Sequence, residues 1–192
     1  MTTMTAAPLS RDTVEKRASE AALSLASDRP WAEITLRDIA TASGLAFVDL
    51  YRAAPSKTAL LGRISAQLDL AALTDGEIDP AADAHDRLFE AVMARLDAMA
   101  PNRAALLSIA KSDGLIALAP RLPFTARALL EAAGIPADGL RGAPRVAAMT
   151  ATWLRILIVW REDDGALNRT MAEADRQLKT LRTRLKQVGA GF

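Results

Sequence analysis

Cysteine is absent from this 192-residue chain. That removes disulfides, thiolate metal sites and cysteine nucleophiles in one step, and it fits a cytoplasmic protein. Histidine occurs once, as His85. It has no patterned partner and reads as a solvated residue on a helix after an acidic linker. Aromatic residues make up only 4% of the sequence, and β-branched residues are sparse and scattered. A long hydrophobic run is missing too. The longest, Val146 to Trp160, falls short of the roughly 20 residues a bilayer span requires and is interrupted by Arg155. The opening MTTMTAAPLS lacks the basic start and apolar core of a signal peptide, and residues 1–10 are expected to be a disordered lead. No phosphate-binding glycine pattern, calcium-loop spacing or catalytic constellation occurs, so no enzyme activity, metal or cofactor is expected.

What the chain does have is alanine and leucine, both good helix formers, and an apolar fraction of 51%. An all-α protein follows. The apolar spacing predicts a first helix over 12–27, with Val14, Ala18, Ala22 and Leu25 on one face and Asp12 as its cap with Glu15 three residues on. A second helix starts at Thr35 as N-cap and closes at Ser43-Gly44, where glycine supplies a left-handed residue. A third runs from Ala46 to Ala53 and stops at Pro55; a fourth runs from Ser56 to about Leu70. The acidic stretch TDGEIDP, residues 74–80, reads as a linker. It separates a helix-turn-helix domain over 11–73 from a helical domain over 74–192. Helices in the second domain are expected at 81–100, 103–117, 121–133, 144–161 and 167–188.

The segment AALSLASDRPWAEITLRDIATASGLAFVDLYRAAPSKTALL, residues 21–61, carries the most information. Two short helices around a Gly44 turn make a helix-turn-helix, whose second helix can enter the major groove. Ala21, Ala22, Leu23, Thr35, Arg37, Asp38, Ile39, Ala40, Gly44, Leu50, Tyr51, Pro55, Ser56, Lys57 and Leu60 make this stretch resemble the TetR family of transcriptional regulators. The resemblance implies a TetR-like, all-α fold with a DNA-binding first domain and a ligand-binding, dimerising second domain. It implies phosphate contacts by Tyr51 and by Lys57 at the start of the fourth helix, and a backbone contact by Thr35. Arg37 and Arg52 are further candidates for phosphate, while Ala46, Phe47 and Asp49 line the reading face.

That face departs from the family pattern. The recognition helix usually opens with a serine or threonine, but here it reads Ala46-Phe47-Val48-Asp49. Phe47 can touch a thymine methyl but cannot hydrogen-bond a base edge, and Asp49 brings a negative charge to the groove. Ala53-Ala54 stands in place of a common His-Phe pair. Ala26 replaces a core phenylalanine whose volume Trp31 can refill. Residues 1–70 carry eight basic and eight acidic side chains within a net charge of +1, whereas DNA-reading domains usually show a basic surplus.

In the second domain, Met93, Leu96, Leu107, Leu115, Phe124, Met149 and Trp153 are candidate walls of a pocket for a small apolar effector. The helix over Val146–Arg161 is apolar nearly all round, which suggests burial on both flanks. Trp153, Leu157 and Trp160 on it, with Leu178, Leu181 and Leu185 on the last helix, are candidates for a homodimer interface. Two function classes stay open. One is a dimeric, ligand-responsive regulator on a palindromic DNA operator. The other is a lipid- or isoprenoid-binding protein that has given up DNA: ALLEAAGIPADGLRG, RVAAMTATWLRILIVWREDD and TMAEADRQLKTLRTRL are loosely similar to TetR-fold accessory proteins of ubiquinone biosynthesis. Membrane contact by the basic last helix ranks behind packing on a partner.

Overall fold

A computed structural model describes residues 9–73, 81–112, 120–163 and 165–192. Most of the expected N-terminal lead, the 74–80 linker, the end of the helix expected over 103–117 and the pocket candidate Leu115 lie outside the described residues. Within them the chain is all helix and connection, with no strand. The helices are α1 (Arg11–Asp28), α2 (Leu36–Ser43), α3 (Phe47–Ala53), α4 (Lys57–Leu70), α5 (Ala84–Met99), α6 (Arg103–Ser112), α7 (Leu122–Ala132), α8 (Gly139–Glu162) and α9 (Asn168–Gln187). The fold divides into two units, Met1–Ile64 with Ala104–Ala117 and Ser65–Arg103 with Leu118–Phe192. The division therefore falls within α4.

In the first unit, α1 packs on α2 and α3, which also pack on each other. Its buried face repeats every four residues, through Val14, Ala18, Ala22 and Ala26, the spacing that keeps side chains on one side of a helix. Ser10, not Asp12, caps it: the Ser10 hydroxyl accepts the Thr13 N–H at 3.2 Å. Glu15 is used elsewhere, pairing with Arg11 at 2.9 Å and Arg63 at 3.3 Å. Trp31, in a single 3-10 turn after Pro30, is fully buried together with Ile34. The small Ala26 is buried in the same unit.

In the second unit, α8 packs against α7 and α9, and α5 against both of these. Met149, Trp153, Ile156, Leu157 and Trp160 of α8 are buried, as are Ala174, Leu178, Leu181 and Leu185 of α9. The full envelope of apolar burial expected for α8 does not form. Ala147, Ala151 and Arg155 are exposed at a four-residue spacing, so one stripe of the helix is open. α8 also begins earlier than the sequence suggests. Its first turns include Gly142, which reads as a breaker, and Pro144, where the helix is expected to start. Gly142 is required by close approach, since a Cβ there would lie 2.3 Å from the Ala137 carbonyl oxygen. Pro144 withholds one N–H from the ladder, opposite Leu140, a fully exposed residue whose carbonyl water can satisfy. At the other end, the buried Asp163 carboxylate accepts from Thr170 N at 2.8 Å and Thr170 Oγ1 at 2.7 Å. It thus takes up an orphan N–H in the first turn of α9.

Candidate nucleic-acid interface

The geometry of α2 and α3 is fixed by local chemistry. Thr35 and Asp38 form a reciprocal capping box. The Thr35 hydroxyl accepts the Asp38 N–H at 3.1 Å, while Asp38 Oδ2 accepts the Thr35 N–H and hydroxyl, each at 2.8 Å. Arg29 adds a 3.1 Å ion pair to the same oxygen. The Thr35 N–H, followed by its hydroxyl, holds the Asp38 carboxyl below the usual carboxylate range, with Arg29 assisting. At the far end Gly44 sits at φ 64°, ψ 27°, the left-handed region that glycine enters without penalty. Its N–H bonds back to Ala40 and Thr41. α3 then buries Leu50 and Ala53 and turns its other side out. Val48 is 53% exposed and Tyr51 52%. Phe47 is half-buried, with the Arg37 guanidinium 4.4 Å above its ring and the Tyr51 ring 6.0 Å away. Asp49 makes a 3.5 Å ion pair with Arg52, both substantially exposed.

On this surface lie Phe47 and Val48, the exposed Tyr51, and the Arg37 and Arg52 guanidiniums. Thr35 and Ala46 flank it as the N-caps of α2 and α3. Lys57 is placed differently. Its ammonium donates to the Trp31 carbonyl at 2.6 Å and the Ile34 carbonyl at 3.0 Å and lies 4.5 Å from the Trp31 ring centroid. The start of α4 is capped separately, Ser56 Oγ accepting from Ala59 N at 3.0 Å.

No protein-family model and no curated protein matches the chain in sequence. Solved structures do match in shape. A TetR transcriptional regulator from Rhodococcus sp. RHA1 superimposes with a TM-score of 0.67 at 21% identity, over 91% of this chain and 97% of that one. Another, from Nitrosomonas europaea ATCC 19718, gives 0.63 at 22% identity, over 87% and 97%. The dihydroxyacetone kinase operon activator DhaS gives 0.56 at 13% identity, over 91% and 97%.

The fold is that of the TetR transcriptional regulators.

Within this TetR fold, the residues anticipated for the second unit have varied positions. Leu96, Met149 and Trp153 are fully buried there and Met93 is half-buried. Phe124, 58% exposed, points outward. Leu107 belongs to the first unit. Trp153, Leu157, Trp160, Leu178, Leu181 and Leu185 are all buried under the chain's own side chains. Within a single copy they belong to the core of the second unit. His85 is not the solvated residue expected. Its side chain is only 12% exposed, with Nδ1 3.0 Å from Asp86 and Nε2 3.4 Å from Asp175 of α9.

Sequence reasoning also passed over a buried charged cluster. Arg95 Nε donates to Asp69 Oδ1 at 2.8 Å, and both side chains are almost wholly buried. Arg95 further reaches Ser65 at 3.3 Å and lies over the Trp153 ring at 4.7 Å. Thr125 donates to Asp69 Oδ1 at 2.8 Å and Arg121 to Oδ2 at 3.3 Å. Burial works to lower the Arg95 pKa, the Asp69 charge opposes that, and the Arg121 charge adds to it. A signal was available: Arg95 stands seven residues after Leu88 and three after Val92, on the inner stripe of α5.

Proposed function

We propose that this chain is a cytoplasmic, DNA-binding transcriptional regulator that works as a homodimer and answers to a small, largely apolar molecule taken up by its second unit. The outward presentation of α3 carries this reading. α2 is fixed by a capping box at its start and a left-handed glycine at its end, and α3, following directly on that turn, has Val48, Tyr51 and Arg52 exposed to solvent, as groove entry requires. Two copies would set their α3 helices in successive major grooves, roughly 34–36 Å apart or a multiple of it. The open Ala147–Ala151–Arg155 stripe of α8 is the face offered for the second copy. Effector and DNA are coupled only if the effector binds one arrangement of the dimer better than the other.

A salt series of DNA binding tests this reading. Binding that weakens steeply with salt, and a consensus recovered by selection from random fragments, are expected. A dimer that ignores DNA at low ionic strength would refute it. One observation favours the second reading, a lipid-binding protein that no longer reads DNA. Lys57 is engaged by two carbonyls and Arg52 faces Asp49, which reduces the charge available to phosphate. Native mass spectrometry revealing a co-purified isoprenoid or acyl lipid, with no DNA affinity, would establish it.

A further inference from the structure

The cluster around Asp69 is unbalanced. Two guanidiniums, Arg95 and Arg121, share one carboxylate. Arg95 is almost wholly buried and Arg121 is 29% exposed, so among the described residues the second positive charge, on the partly exposed Arg121, has only a shared carboxylate. Arg121 also keeps a buried Nε with no hydrogen-bond partner among the described residues. A guanidinium presents its N–H groups as a planar fork matched to a carboxylate, and a buried unpaired N–H is costly enough to favour an acceptor that fills it. Aromatic rings and a thioether lie beside the two guanidiniums. Arg121 stacks 4.7 Å from the exposed Phe124 ring, Arg95 lies over Trp153, and Met99 Sδ is 3.1 Å from the Arg95 guanidinium.

We infer that the second unit takes an amphiphilic monocarboxylate, whose carboxylate pairs with Arg121 and whose apolar body lies along Phe124. This deepens the reading of the unit as a small-molecule receptor, and it rests on that reading. Arg121 would keep or exchange its 3.3 Å contact with Asp69, while Arg95 remains held by Asp69 and Ser65.

Calorimetric titration of the full chain with octanoate, and with octanamide as the neutral match, tests it. Octanoate is expected to bind once per chain, at least about ten-fold more tightly than the amide, the difference a charge-assisted pair gives. Arg121→Gln should remove that preference while leaving the helical circular dichroism intact. Arg121→Lys should restore part of it, since it returns the charge without the fork. Equal binding of acid and amide, an unchanged preference in Arg121→Gln, or no octanoate binding would each overturn the proposal. A DNA titration of the same samples separates the two levels of the argument. DNA binding without octanoate binding overturns the ligand assignment alone. Arg121-dependent octanoate binding without DNA binding removes the regulator reading and leaves the acid receptor standing.

Discussion

Replacing Lys57 with methionine distinguishes a side chain that holds the fold from one that holds a phosphate. The ammonium bonds two main-chain carbonyls, at 2.6 and 3.0 Å, on Trp31 and Ile34, which are 0% and 1% exposed. Hydrogen bonds from a charged donor contribute about 1.5–3 kcal/mol each. Both bonds here share one half-exposed ammonium, so their joint loss is expected to cost about 2–3 kcal/mol. With a urea slope of about 2 kcal/mol per molar, the unfolding midpoint of Lys57→Met should fall by about 1–1.5 M. Fluorescence during urea titration reads this directly. The same sample gives the second half of the answer. Loss of a real phosphate contact lowers the salt slope of DNA binding by about 0.9, whereas Lys57→Met should leave that slope nearly unchanged. A midpoint within about 0.3 M of the parent, or a slope lower by the full amount, would show that the carbonyl contacts are incidental.

Other expectations follow from the same geometry. Gly44→Ala meets no atom within 4 Å of its new Cβ, so its cost is purely that of a left-handed torsion, about 1–2 kcal/mol, measured by denaturation. Asp69→Ala leaves the buried Arg95 without its carboxylate and should destabilise by about 3–5 kcal/mol; a loss under 1 kcal/mol would mean that Arg95 escapes to solvent. Asp49→Asn removes a negative charge from the exposed face of α3 and releases Arg52. Affinity for DNA at low salt should rise about two- to five-fold, and no rise would show that the ion pair persists harmlessly on the duplex. Asp38 is depressed in the folded state, so its stabilising part is complete above the unfolded carboxylate value of about 4 and is lost as pH falls through its lower folded value. Asp38→Asn should flatten the acid limb of stability against pH.

Features set by neighbours in the chain were the ones legible in advance. Thr35, Gly44 and Ser56 cap or close helices through residues three or four positions away, so their roles follow from spacing. Ser10 was masked by the competing Asp12 and Glu15 pattern, because the long-range partner of Glu15, Arg63, has no sequence signature. Gly142 and Pro144 read as a helix boundary for the same reason: the close approach of Ala137 is tertiary. Spacing marks α3 as a helix, and in it Tyr51 and Arg52 are exposed while Phe47 and Asp49 are only partly so, but the destination of the Lys57 ammonium depends on a fold-back of the 31–34 segment. The tryptophan stripe of α8 illustrates a further limit. Helical spacing reveals an apolar face, yet it does not reveal whether the chain's own helices or a second copy will cover it.

Each of the three tryptophans is buried and bears a basic side chain over its ring, Lys57 on Trp31, Arg95 on Trp153 and Arg103 on Trp160. The intrinsic emission of this protein is therefore a built-in gauge with separable channels. Trp31 reports on the first unit and the other two on the second, so variants that keep a single indole would reveal whether the two halves melt together or one after the other.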